Sequence, residues 1–178
     1  MITKRAIFIV FLVLFAGSIA SAQYKYIGAD KCKICHNKPA EGDQYAKWLK
    51  DPHASAFKSL SSQKSLDYGK KNGIADPSKE AKCLKCHTTF DAVAANLRNG
   101  ITQAEGVSCE TCHGPGSSYK SPSIMKNLAL AKQNGLIVPD QNLCLKCHGN
   151  SKDNPFFKEF NFATASAKIA HMNPAKKK

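Results

Sequence analysis

Cys109-Glu110-Thr111-Cys112-His113-Gly114-Pro115-Gly116 is the stretch from which the rest of the chain is read. Its first five residues repeat a frame also present at Cys32-Lys33-Ile34-Cys35-His36, Cys83-Leu84-Lys85-Cys86-His87 and Cys144-Leu145-Lys146-Cys147-His148. All eight cysteines fall in these four frames, and each frame ends in histidine. Cys-x-x-Cys-His is the attachment pattern of c-type haem. Two thiols at that spacing reach two vinyl groups of one porphyrin and form thioethers, and the adjoining histidine is then held beneath the iron. Disulfide frameworks, zinc ribbons and thioredoxin-like sites also use cysteine pairs, but none requires histidine after every pair. With 6 histidines in 178 residues, four such placements by chance come to about one in a million.

The expectation is therefore four covalently bound haem c groups. Cys32, Cys35, Cys83, Cys86, Cys109, Cys112, Cys144 and Cys147 would carry the thioethers, with His36, His87, His113 and His148 as proximal iron ligands. The start of the chain gives the compartment. Lys4 and Arg5 precede an apolar run from Ala6 to Phe15, and Ala20-Ser21-Ala22 is a small-residue cleavage pattern. Residues 1–22 read as a secretory signal peptide and 23–178 as the exported, periplasmic domain. The apolar run is too short to cross a bilayer comfortably, so no stable membrane span is expected after cleavage. About 40 residues then serve each haem, too few to wrap each in a core of its own. The porphyrins should be the core, packed close together, with peptide draped around them.

A hydrophobic content of 43% excludes both a disordered chain and a multi-span membrane protein. The expected fold is mainly α, one domain of short helices and much irregular coil wrapped around the haems. Helices are expected over Glu41 to Lys50, Pro52 through Leu60, Pro77 to His87, Phe90 to Leu97, Ser123 to Gln133 and Phe162 to His171. A further helix carrying the fourth motif would be capped by Asp140.

Four irons need eight axial positions, and the motif histidines fill four. His53 and His171 are the only other histidines, so the shortage of strong ligands makes both candidate distal ligands. Met125 is a further candidate, weighed against an ordinary core role beside Ile124 and Leu128. An iron left with water, lysine or nothing would be open to small molecules. The formal charge of +13 and the motif-flanking Lys31, Lys33, Lys82, Lys85 and Lys146 suggest steering of an acidic redox partner, against the plainer reading of a solvated lysine surface. Nucleic acid is not an expected partner of an exported haem protein.

The chain resembles the cytochrome c-554 family of exported tetrahaem cytochromes. The resemblance rests on Tyr26-Ile27-Gly28, on Trp48 with His53-Ala54, on Cys83 through Thr89, on Gly106 through Gly116 and on Ile169-Ala170-His171. It implies a mainly helical fold with haems in close stacked or edge-to-edge pairs, and electron transfer between periplasmic oxidoreductases. It further implies that most haems are bis-histidine and that one lacks a distal protein ligand. Carried over to this sequence, His53 and His171 would serve the fourth and third haems, and the haem of His87 is the five-coordinate candidate. The family's remaining distal histidine has no counterpart here. Tyr119 and Met125 occupy that stretch, which leaves the first haem's ligation open. Electron carriage is the leading function. The alternative is a small haem reductase acting on nitric oxide, nitrite or hydroxylamine, although no constellation of catalytic acids or bases is visible. A structural subunit of a conductive assembly is disfavoured by the shortage of histidine.

Overall fold

The computed structural model describes residues 24–149 and 156–174. The expected signal peptide and the Lys176–Lys178 tail lie outside the described residues. The helices, in chain order, are α1 (Ala29–His36), α2 (Gln44–Leu49), α3 (Ala56–Ser59), α4 (Gln63–Lys71), α5 (Ala81–His87), α6 (Thr89–Ala92), α7 (Cys109–His113), α8 (Pro122–Met125), α9 (Leu128–Gln133), α10 (Gln141–His148) and α11 (Phe162–Ile169). Among the described residues the extended pairing is a single isolated bridge between Tyr26 and Arg98. The architecture is mainly α, with short helices separated by coil.

Each motif forms a helix, or the end of one, that delivers its histidine at the last turn. Three departures from expectation have local causes. The helix expected from Glu41 starts at Gln44, because Gly42 and Asp43 take left-handed backbone angles, φ 108° and 50°, after a 3-10 turn at Pro39–Glu41. The segment expected as one helix from Phe90 to Leu97 is divided. The Arg98 guanidinium stacks over Phe90 at 4.0 Å and donates twice to the Val93 carbonyl, holding that peptide outside a helix. Likewise Ser123–Gln133 splits into α8 and α9, since the Asn127 side chain accepts from Leu130 N–H and starts a new helix. Asp140 caps α10 as expected, accepting from Leu143 N–H at 2.8 Å. α4 has no counterpart in the sequence reading. Ser62 caps it, but Leu66 is 42% exposed, so the helix has no apolar stripe that periodicity could reveal.

The interior is small and partly polar. Among the described residues the buried apolar side chains are Ile27, Ala29, Leu60, Leu84, Ile101, Tyr119 and Ala131. The largest fully buried side chains are Glu110, Thr88, Thr89 and Ser108. Meanwhile Ile34, Leu128 and Val138 stand more than half exposed, at 72%, 56% and 54%. So few buried apolar groups make the polypeptide marginal by itself.

Candidate metal centres

Packing brings the four motifs together in a definite pattern. α1 lies against α7, so the first motif meets the third. There the Cys32 thiol lies beside that of Cys109, and this contact, together with burial, holds the Cys32 thiol far above its ordinary range. The second motif meets the fourth through Cys86 and Cys147, with the same upward effect on Cys147. Burial, with Cys144 nearby, pushes the Cys112 thiol up to about 11, which places the third motif beside the fourth. The first motif therefore meets the third, the third meets the fourth and the fourth meets the second.

Two polar hubs hold this arrangement. Glu110, between the cysteines of the third motif, accepts from Ile27 N–H, Gly28 N–H and Gly116 N–H at 2.9, 2.8 and 2.6 Å. It fastens the segment ahead of the first motif to the turn behind the third. Thr89, just after the second motif, accepts from Ser108 N–H at 2.8 Å and shares hydrogen bonds with the Ser108 and Thr111 hydroxyls. It fastens the second motif to the third. Glu105 accepts from Ala29 N–H, and Trp48 donates from Nε1 to the Val107 carbonyl at 3.0 Å. Sequence reasoning missed these roles. A signal existed for Glu110: the third motif has no lysine between its cysteines, whereas the other three each have one.

The histidines assemble in pairs. His53 faces His148 with ring centres 5.8 Å apart and planes at 86°. His113 faces His171 at 5.9 Å and 78°. Imidazole nitrogen bonds of about 2.0–2.1 Å to a first-row metal place two opposed donor atoms about 4 Å apart and their ring centres about 6 Å apart. The separations fit a metal held between each pair. At His53, His113 and His171 of these pairs, and at His87, the second nitrogen is occupied. His53 Nδ1 donates to Asp51 Oδ1 at 2.7 Å, and His171 Nδ1 to the Ile169 carbonyl at 2.8 Å. His113 Nδ1 donates to the Ile137 carbonyl at 3.3 Å, and His87 Nδ1 to that of Ala56 at 2.8 Å. Carboxylates and carbonyls only accept, so Nδ1 carries the proton and Nε2 keeps a free lone pair. Burial also pushes His113 and His148 below the usual histidine range, which favours the neutral form that metals bind.

The backbone around these rings is fitted closely. Gly106 has φ 61°, and a Cβ there would lie 2.6 Å from the His53 carbonyl oxygen, which also accepts from Val107 N–H. Gly114 has φ 76° and would place a Cβ 2.4 Å from the Gly135 carbonyl, in the turn that returns Ile137 to His113. His171 lies beyond α11, because Ala170 is extended and ends the helix. Met125 is half-buried at the end of α8. His36 and His87 are left outside the two imidazole pairs, since all six histidines lie among the described residues. No three of the described His, Cys, Asp or Glu side chains converge as a closed zinc site needs.

The family model described as "Cytochrome c554 and c-prime" matches residues 31–114, a span containing the first three motifs and Glu110. The cytochrome c-554 of Nitrosomonas europaea is 26% identical over an alignment of 165 residues, covering 80% of this chain and 66% of that protein. The chain is similar to the cytochrome c-554 family across the span of its first three motifs. That relative is a cytochrome by name, and the matched span holds three of the four haem-attachment motifs. The multiheme cytochrome MtrA of Shewanella baltica is 27% identical over 95 residues, covering 49% of this chain and 28% of that protein. The chain thus spans 66% of the first relative's length and 28% of the second's. No solved structure matches it.

Proposed function

We propose that the chain is a periplasmic tetrahaem cytochrome that carries electrons between protein redox partners. The observation that carries this reading is the pair of imidazole clamps, 5.8 and 5.9 Å across, each containing one motif histidine. His53 and His148 would hold the fourth iron, His171 and His113 the third, while His36 and His87 are proximal at the first and second. The eight motif thiols supply two thioethers to each group. Ile137, 41% exposed beside His113, offers apolar surface for a porphyrin to cover.

Bound haem supplies reversible one-electron chemistry at iron. The chain's own residues supply the rest. Nδ1 hydrogen bonds fix the rings and tautomers of His53, His87, His113 and His171, Glu110 and Thr89 fix the motifs relative to one another, and burial excludes water from the links between them. Motif adjacency supports an electron path through the first, third and fourth motifs, with the second beside both the third and the fourth. The signal-like first 22 residues support export, and no helix among the described residues is long and apolar enough to cross a membrane. Lys31, Lys33, Lys82, Lys85 and Lys146 are exposed around the motifs, which supports docking of an acidic partner.

The histidine count supports a second reading. Six histidines make two opposed pairs, so two irons lack a second imidazole. Met125 is the thioether available to one of them, and the other, above His87, would be open for reduction of a small nitrogen oxide. Mass spectrometry and haem quantitation of the exported protein test the primary reading. The expected result is four haem masses per chain, and bare polypeptide or bound zinc would overturn it. Wholly low-spin ferric spectra that do not change with nitric oxide or cyanide would remove the reductase reading and leave the carrier.

A further inference from the structure

His53 differs from His113 and His171 in what holds its outer nitrogen. His53 Nδ1 donates to a carboxylate oxygen of Asp51 at 2.7 Å, and the same oxygen accepts the His53 backbone N–H at 2.9 Å. The Asp51 side chain is 15% exposed, so water screens this contact little. His171 Nδ1 instead meets the neutral Ile169 carbonyl, and His113 the neutral Ile137 carbonyl at 3.3 Å. A carboxylate draws the Nδ1 proton toward itself more strongly than a carbonyl does. The ring gains anionic character, and its Nε2 becomes the stronger donor. A stronger donor favours the ferric over the ferrous state.

We propose that Asp51 is a positioning residue that sets the reduction potential of the iron between His53 and His148 below that of the iron between His113 and His171. This rests on reading those pairs as axial ligands. It adds a direction to the adjacency of the motifs: the third position holds an electron more tightly than the fourth. The alternative effect of Asp51 is a general field. Its charge also acts on the Cys112 thiol of the third motif, so a purely through-space influence would lower both potentials together. The hydrogen bond to His53 acts on one alone, and that difference can be measured.

The experiment is a potentiometric titration of the haem-loaded protein, followed by EPR, on the wild type, Asp51→Asn and His53→Ala. Asn at position 51 can still accept both hydrogen bonds through a neutral oxygen. It should shift the ferric/ferrous equilibrium of the fourth iron about tenfold toward ferrous, about 59 mV for one electron, and the third iron by clearly less. Equal shifts at the two irons, or none, would overturn the proposal. His53→Ala identifies the fourth iron as the low-spin signal it abolishes. In the wild type that signal must titrate at the lower potential of the two bis-histidine irons. If it is the higher, the proposal fails even where Asp51→Asn yields no loaded protein. If His53→Ala removes no low-spin signal, the axial reading itself has failed, and the proposal with it.

Discussion

His113 and His171 stand with ring centres 5.9 Å apart and planes crossed at 78°. Crossed imidazoles on one iron donate about equally into both of its dπ orbitals, which leaves those orbitals nearly degenerate. The His53–His148 pair, at 86°, is crossed even more fully. With an iron held in each pair, as proposed, both should give strongly anisotropic low-spin ferric EPR signals. Rhombic signals typical of parallel rings at both positions would contradict the clamp geometry.

Glu110 offers a second test. It is 1% exposed and satisfies three backbone donors. Glu110→Ala orphans all three and should lower stability by about 3 kcal/mol or more, while Glu110→Gln keeps one acceptor oxygen and should cost about 1–3 kcal/mol. Denaturant midpoints of the haem-loaded variants give the values. A midpoint unchanged in Glu110→Ala would show that this hub is dispensable.

Gly106 lies where chain conformation and the metal position meet. A Cβ there would be 2.6 Å from the His53 carbonyl oxygen, at φ 61°. Gly106→Ala should cost about 1–3 kcal/mol. It should also displace His53 enough to weaken one low-spin signal. Gly73, also at positive φ but with open space around its missing Cβ, is the control: alanine there should leave every EPR signal unchanged.

How much of this was legible in the sequence follows from the range of each interaction. The four motifs are local patterns of five residues and read directly, and Asp140 as a cap needs only the three residues after it. His53 and His171 stood out by arithmetic, as scarce ligands for many sites. Their outer hydrogen bonds did not, although Asp51 is only two residues from His53, because a carboxylate at that spacing is common and only ring orientation makes it an acceptor. Glu110 and Thr89 were out of reach for another reason. Their partners lie far along the chain, and no periodicity encodes such a contact. The division of the 90–97 segment likewise came from one side chain, Arg98, turning back onto Val93 and Phe90.

Glu105 supplies a pH test. Burial, with Glu110 and Asp30 adding to it, raises its carboxyl above the ordinary 4.5, against the lowering effect of the Ala29 N–H. The folded state then binds the proton more tightly than the unfolded state. Stability contributed by this group is present below pH 4.5 and declines as pH rises through the raised folded value. Relative to wild type, Glu105→Gln should gain stability between pH 4.5 and 7. Parallel stability profiles for the two proteins across that window would exclude the effect.

The clasp between Glu110 and Ile27 joins positions 83 residues apart. A chain made from its amino terminus exposes Cys32 and Cys35 long before the carboxylate that will shelter their surroundings exists. Whatever enzyme modifies those first thiols meets them on an open thread, and closure of the clasp follows once the third motif has emerged. The molecule is thus arranged so that the surroundings of its first motif are sheltered only after its third has been made.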